Sequence, residues 1–160
     1  MSLITVGVGR YTIEKTENED EILSVLSSPE VKRWIGDDFT REKFHEYNPE
    51  YLYLKVVFSG KNVGIFALVP RGSIEYEGHT AFLKEAWGNT LEPTLEAINW
   101  IFTNTRCEKI TGRTPADNKK AIAYNIRAGF MIEGLNRKSV YRNGKLIDQV
   151  YFGMERSRWF

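Results

Sequence analysis

Two runs of alternating apolar and polar residues flank the dipeptide Asn143-Gly144 near the end of the chain, in FMIEGLNRKSVYRNGKLIDQVYFGMER. Asn-Gly between alternating runs is the strongest short-range signal for a β-hairpin, because both residues tolerate the positive φ angles of a type I′ turn. The preceding segment, DNKKAIAYNIRAGF, has helical spacing, and Gly129 stands where a helix C-terminus favours glycine. The sequence therefore predicts a helix with Ala121, Ile122 and Ile126 facing inward, followed by two long antiparallel strands.

The rest of the chain predicts strands and helices in mixed order. Strand patterns occur in GRYTIEKT, in SIEYEGHTAFL, in EKITGRTP and in the hairpin YLYLKVVFSGKNVGIFALVPRG. Helical patterns occur in ENEDEILSVLSSPEVKRWI, which Pro29 interrupts, in a short segment near Thr40, and from about Leu91 to Asn104. The predicted order β, α, α, β, β, β, α, β, α, β, β is typical of a mixed α/β sheet with one antiparallel half and helices on both faces. We expect one domain over residues 1–160.

Composition excludes several classes of protein. The formal net charge of +1 argues against a strong general attraction to nucleic acid or to an acidic membrane. Cys107 is the single cysteine, so no disulfide framework can form within the chain, and with two histidines a dedicated zinc site is not expected. We identify neither a signal peptide nor an apolar run long enough to span a bilayer, and expect a soluble, cytoplasmic protein.

A longer motif connects the helix near residue 120 with the hairpin. Asn118 is followed by Ala121 three positions later and by Gly129-Phe130 eleven and twelve positions later. This spacing resembles the second motif of the GNAT superfamily of N-acyltransferases, in particular the branch that acetylates protein N-termini and small amines. The resemblance extends from about Tyr11 to Arg156 and includes short phage-encoded GNAT-like proteins, some of them linked with virion head assembly. Further positions that fit the branch are Glu133-Gly134, Arg137, Gly144 and Asp148.

The resemblance implies acetyl-CoA as the cofactor. Its pantetheine would pair with the strand that ends near residue 83, its pyrophosphate would lie on the turn before the next helix, and an asparagine at the start of the following helix would orient the pantetheine. Free N–H groups in the first turn of a helix bind phosphate groups well. The cofactor-binding residues implied in this way are Phe82, Leu83, Lys84, Gly88, Asn89, Thr90 and Asn118.

The turn itself departs from the family pattern, which usually has Gln or Arg, two residues, Gly, one residue, then Gly or Ala. The aligned residues here are Trp87-Gly88-Asn89-Thr90-Leu91-Glu92. A carboxylate in the first turn of the helix would repel a pyrophosphate by about a few kcal/mol at close range. The same residues also suit an ordinary helix start, with Asn89 or Thr90 as N-cap, Glu92 matched to the helix dipole, and Pro93 tolerated in the first turn. Both interpretations remain open.

Candidate catalytic groups lie on the strand SIEYEGHTAFL. Glu75, Glu77 and His79 share one face because side chains alternate along a strand. Glu77 and His79 are the candidate general bases, since proton removal from an attacking amine needs a carboxylate or an imidazole. The alternative is a solvated polar face. The resemblance places the acid that protonates the leaving thiolate at Asn125, seven residues after Asn118, where the family commonly has tyrosine; Tyr124 lies one residue earlier.

Two functions follow from these observations. In the first, the protein transfers an acetyl group from acetyl-CoA to a primary amine of a small molecule or peptide, by direct attack in a ternary complex. The segments RGSIEYEGH and WIGDDF, the latter with Asp37 and Asp38, would line the acceptor pocket. In the second, a non-catalytic protein with the same fold binds other proteins, for example in virion assembly. The resemblance is compatible with a homodimer.

Overall fold

The computed structural model describes residues 2–6, 9–32 and 46–160. Eight strands form one sheet in the order β1-β2-β3-β4-β5-β6-β8-β7, and every neighbouring pair is antiparallel except β5 and β6. The strands are β1 (Ser2–Val6), β2 (Gly9–Thr16), β3 (Leu52–Phe58), β4 (Lys61–Pro70), β5 (Glu75–Phe82), β6 (Lys109–Pro115), β7 (Met131–Arg142) and β8 (Lys145–Glu155).

Helices cover both faces of this sheet. They are α1 (Glu19–Leu26), α2 (Pro29–Lys32), α3 (Leu91–Asn104), α4 (Lys119–Arg127) and α5 (Arg156–Trp159). Ile22 and Val25 of α1 pack with Ile65 of β4 on one face, whereas Ile98 and Phe102 of α3 belong to a separate apolar cluster on the other. The prediction of a mixed α/β sheet with helices on both faces is therefore confirmed. No helix in the described ranges is long and apolar enough to cross a bilayer.

Local signals in the sequence account for several element boundaries. The Asn18 side chain accepts a hydrogen bond from the Glu21 amide and so begins α1, whose acidic first turn matches the helix dipole. Between β7 and β8, Asn143 and Gly144 have φ angles of 53° and 75°, as a type I′ turn requires. The predicted hairpin is confirmed, as is Gly129 in the left-handed conformation just after α4, with φ 101°.

Some details of the sequence prediction are wrong. Ile126 does not face inward but is 51% exposed, because α4 turns Ala121, Tyr124 and Ala128 toward the protein and Ile126 lies on the opposite side of the helix. β1 and α5 were not predicted from the sequence, since both are short and depend on neighbouring elements for their partners. The helix predicted near Thr40 and the predicted acceptor-pocket segment WIGDDF, with Asp37 and Asp38, lie outside the described residues.

The sheet opens between β5 and β6. Their parallel ladder joins Glu75, Tyr76 and Glu77 to residues 109–111 and then ends, although β5 continues to Phe82. The Leu83 amide donates to the Val63 carbonyl at 2.8 Å, so in the antiparallel register the odd-numbered residues of β5 form the hydrogen bonds to β4. The backbone N–H and C=O groups of Thr80 and Phe82 therefore point into the opening, which we call the splay.

Candidate functional site

Glu77 and His79 lie at the narrow end of the splay, on the face of the sheet that α1 covers. Register pairs Glu77 with Val69 on β4 and with Thr111 on β6, and it pairs His79 with Ala67. The alternation predicted from the sequence thus brings both candidate bases to one face. Their side chains are in contact, because His79 Nε2 lies 2.9 Å from Glu77 Oε1.

Glu77 is buried and is surrounded by cationic groups. Arg113, on β6 across the splay, contacts both carboxylate oxygens through Nη2, at 3.1 Å and 3.0 Å. Arg71, just after β4, contacts Glu77 Oε2 through Nη2 at 3.2 Å. Arg71 begins the segment RGSIEYEGH, which was predicted to line the acceptor pocket. Arg113 was not recognised from the sequence, since only the pairing of β6 with β5 brings it beside the carboxylate. The contacts join three separate segments at the narrow end of the splay, which we call its apex.

The protonation state of Glu77 follows from these contacts. Burial alone would raise the pKa of Glu77, but hydrogen bonds from His79 and Arg113, the charge of His79 and the hydrogen bond from Arg71 lower it to about 2. At neutral pH the carboxylate is ionised and can only accept hydrogen bonds. His79 Nε2 must therefore carry the hydrogen, and in the neutral ring Nδ1 is the basic nitrogen.

Stability should depend on the ionisation of Glu77. The pKa of Glu77 in the folded protein, about 2, lies below its ordinary value of 4.5, so the stability that the ionised carboxylate contributes is present above pH 4.5 and is lost as the pH falls toward 2. We expect the difference in free energy of unfolding between the wild type and Glu77→Gln to shrink by about 3 kcal/mol between pH 6 and pH 2. Urea unfolding across this range measures it, and a difference that is constant with pH would contradict the assignment.

Asn125 lies on the other face of the sheet. Its Nδ2 donates to Thr114 Oγ1 at 3.1 Å, and Thr114 points away from the face that carries Arg113 because the two are consecutive on β6. The structure therefore does not bring Asn125 into contact with Glu77 or His79. A ligand that threads through the splay would have His79 on one face and Asn125 on the other.

Tyr124 connects α4 to the start of α3. Its hydroxyl donates to the Thr90 carbonyl at 2.9 Å and is hydrogen-bonded to Thr94 Oγ1. Because a carbonyl can only accept, the tyrosine hydroxyl donates to Thr90 and accepts from Thr94. Burial raises the pKa of Tyr124 despite these hydrogen bonds. Tyr124 thus links α4 to the start of α3 through its hydroxyl.

Removing this hydroxyl should affect stability more than chemistry. Tyr124→Phe leaves the buried Thr94 hydroxyl without its partner, and we expect a loss of about 1–3 kcal/mol in the free energy of unfolding. Turnover by the folded variant should stay within about threefold of the wild type, measured beside urea unfolding curves. A large fall in kcat with unchanged stability would instead identify Tyr124 as an acid in the reaction.

The turn between β5 and α3 is built from backbone contacts. A 3-10 helix (Lys84–Ala86) follows β5, and the Asn89 amide donates to the Ala86 carbonyl at 3.0 Å. Gly88 has φ 88°, and a Cβ there would meet no atom within 4 Å, so an open surface faces this residue. Thr90 is the N-cap residue of α3, but its side chain makes no capping hydrogen bond. The first turn of α3 leaves the Leu91 and Glu92 amides without intrahelical acceptors.

Solved structures share this architecture. A single-residue mutant of the spermidine N-acetyltransferase from Vibrio cholerae is 18% identical, with a TM-score of 0.75 over 93% of this chain and 95% of that chain. The ribosomal-protein-S5-alanine acetyltransferase from Vibrio fischeri is 17% identical, with a TM-score of 0.71 over all of both chains. The chain has the GNAT fold. No protein-family model matches the sequence, and no curated protein matches it.

In the GNAT fold of this chain, β5 is the strand for which pantetheine pairing is predicted, but backbone groups at its end and just after it already have hydrogen-bond partners. The Leu83 amide donates to Val63, and the Lys84 amide donates to Glu30 Oε2 at 2.7 Å. The Phe82 carbonyl points into the splay but accepts from the indole Nε1 of Trp87 at 3.0 Å. Thr80, which was not among the predicted residues, offers both its N–H and its C=O to the splay.

The other residues predicted to bind the cofactor lie where α3 and α4 begin. Gly88, Asn89 and Thr90 form the turn before α3, where Pro93 removes one of the amide donors of the first helical turn. Asn118 is the N-cap of α4, and its Oδ1 accepts from the Ala121 amide at 3.2 Å. The cap is therefore observed, and the orientation of pantetheine by Asn118 stays a prediction.

Proposed function

We propose that the protein is an N-acetyltransferase that transfers an acetyl group from acetyl-CoA to a primary amine in a ternary complex. The observation that carries this proposal is the hydrogen-bonded Glu77–His79 couple at the apex of an open splay in a GNAT fold. The structural neighbours act on spermidine and on a ribosomal protein alanine, according to their names, which supports an amine acceptor. Bound acetyl-CoA would supply the activated acyl group.

His79 is the proposed general base. With Nε2–H donated to ionised Glu77, Nδ1 accepts the proton from the attacking amine, either directly or through water. Glu77 holds the ring orientation and stabilises the imidazolium that forms, while its own low pKa makes it a poor proton acceptor at neutral pH. Glu77 thus acts as a positioning residue and His79 as the catalytic residue.

The groups that this chain offers to the pantetheine arm of the cofactor differ from those that it offers to the pyrophosphate. The open backbone groups of Thr80 suit the pantetheine arm, and the amide of Asn125 is the proposed donor to the departing thiolate. At the start of α3, two amides, those of Leu91 and Glu92, remain for the pyrophosphate, with the turn at Gly88 open to a close approach. We propose Gly88, Asn89, Thr90 and Asn118 as the residues that surround the cofactor there.

A second candidate function, non-catalytic protein binding by the same fold, is favoured by the turn before α3. Trp87 occupies the Phe82 carbonyl, Glu92 places a carboxylate in the first helical turn, and Pro93 lacks an amide donor. The Trp87 contact weakens pairing with pantetheine, whereas Glu92 and Pro93 weaken a pyrophosphate site. Equilibrium binding of acetyl-CoA distinguishes the two functions.

The test is isothermal titration calorimetry of the wild type with acetyl-CoA, followed by a search for thiol release with amine acceptors. Micromolar binding is the expected result for an enzyme of this class. If neither the wild type nor Trp87→Phe binds at millimolar acetyl-CoA, the transferase proposal fails and the protein-binding function is preferred. Thermal shift with desulfo-CoA, which lacks the thiol, gives an independent measure of the same site.

Trp87→Phe is expected to bind acetyl-CoA about fivefold more tightly than the wild type. The substitution keeps an aromatic side chain but removes the N–H donor, so the Phe82 carbonyl becomes available without breaking a hydrogen bond worth about 1 kcal/mol. Trp100→Phe, on α3, is the matched control and should leave the Kd unchanged. Equal Kd values for all three proteins would show that the indole contact does not compete with the cofactor.

A further inference from the structure

Two arginines converge beside His79 from opposite sides of the splay. Arg71 follows β4, and Arg113 lies on β6, yet each places a terminal nitrogen within 3.2 Å of the same oxygen, Glu77 Oε2. Like charges would separate without the buried carboxylate between them. Glu77 therefore holds two guanidinium groups together next to the proposed base.

Both guanidiniums keep donors for a further partner. The ion pairs with Glu77 engage Nη2 of each arginine, and the Arg113 side chain also hydrogen-bonds to Tyr151. A guanidinium has five N–H donors in a fixed plane, so donors remain on both. The side chains are 44% exposed at Arg71 and 38% exposed at Arg113. Tyr151 lies under the Arg113 guanidinium, 5.9 Å from ring centroid to Cζ, and supports its plane.

The local charge balance favours an anion. Among the described residues, which do not include Asp37 and Asp38, the two guanidiniums at the apex contact a single carboxylate. The next acidic residue on the same face, Glu75, lies across from Arg71, whose amide donates to the Glu75 carbonyl at 2.9 Å. Its carboxylate accepts from the Thr111 hydroxyl at 3.4 Å, and Glu75 pairs in register with Lys109. An ammonium group placed against Arg71 and Arg113 would be repelled, whereas a carboxylate matches the planar fork of a guanidinium.

We infer that the acceptor carries a carboxylate close to its amine, as an amino acid does, and that Arg71 and Arg113 bind this carboxylate while the amine reaches His79. The inference rests on the proposed transferase function and names the class of its acceptor. It sets the chain apart from an enzyme for polycationic amines, whose second ammonium group would lie against the same arginines.

The inference can be tested without turnover by measuring the binding of two compounds that resemble the acetylated product. The probes are N-acetylglycine and its uncharged counterpart N-acetylglycinamide, titrated into the acetyl-CoA-free protein and followed by NMR signals of the His79 ring. We expect N-acetylglycine to bind at least about tenfold more tightly than the amide, as charge-assisted contacts to arginine require. Equal Kd values for the two probes would overturn the inference.

Variants identify the residues responsible. Arg71→Gln and Arg113→Gln should each remove most of the preference for the acid, and Arg113→Lys, which keeps the charge beside Glu77, should retain part of it. Arg106→Gln, at an exposed position after α3, is the matched control and should keep the full preference. A preference that survives both glutamine substitutions would also overturn the inference.

The same measurements separate this inference from the proposed function. A wild type that binds acetyl-CoA but does not distinguish the acid from the amide rules out the carboxylate subsite and leaves the transferase proposal intact. A wild type that prefers the acid but does not bind acetyl-CoA supports the subsite and contradicts the transferase proposal.

Discussion

His79→Ala is expected to lower kcat by about 100- to 10,000-fold, with little change in the Kd of acetyl-CoA. A positioned general base contributes a rate factor of about this size. The substitution removes the imidazole that Glu77 orients through Nε2. Among the described residues, the other side chains that hydrogen-bond to Glu77 are the guanidiniums of Arg71 and Arg113, which only donate. Thiol release under saturating acetyl-CoA measures kcat.

Two further variants on β5 make this result specific. Glu77→Gln cannot stabilise an imidazolium as a carboxylate does, so its kcat should fall by about tenfold or more and should depend differently on pH. Glu75→Gln, two residues earlier on the same face, is the matched control and should stay within about threefold of the wild type. If His79→Ala also stays within threefold, His79 is not the base.

Phe102→Ala is expected to reduce the free energy of unfolding by about 3–5 kcal/mol. The ring is fully buried between α3 and the sheet and contacts the Trp159 ring, with centroids 6.5 Å apart. Truncation removes apolar contacts and leaves a cavity that the neighbouring strands cannot fill. Urea unfolding followed by circular dichroism measures the loss, because a domain of this size commonly unfolds in one cooperative step.

Phe160→Ala is the matched control for this substitution. Phe160 is 69% exposed and lies near the guanidinium of Arg156, 5.1 Å from ring centroid to Cζ, so its loss should cost no more than about 1 kcal/mol. Similar losses of stability for the two variants would contradict the burial of the Phe102 ring between α3 and the sheet. Because α3 begins at the turn beside the splay, destabilising its inner face should also weaken cofactor binding.

Much of the fold could be predicted because its signals are local. The Asn143-Gly144 turn, Gly129 after α4 and the alternation in β5 each depend on residues close together in the sequence. Ile126 shows where local information fails. Helical spacing alone permits more than one inward face, and the hydrogen bonds of Tyr124 to α3 decide which face of α4 is turned toward the protein.

The candidate site was predictable only in part for the same reason. Strand periodicity placed Glu77 and His79 on one face, but the further contacts that lower the pKa of Glu77 come from Arg71 and Arg113, which only the pairing of β4, β5 and β6 brings together. The indole contact of Trp87 with Phe82 likewise depends on the path of the turn, which residue types alone do not specify.

The splay divides the amides of β5 into two groups that hydrogen exchange can distinguish. The amides of His79 and Ala81 face β4 within the sheet and should exchange slowly, whereas those of Thr80 and Phe82 face the opening and should exchange rapidly, residue by residue along one strand. An extended ligand that enters the splay would slow exchange at Thr80 and Phe82 alone. The exchange rates of these two amides therefore report whether the splay is occupied.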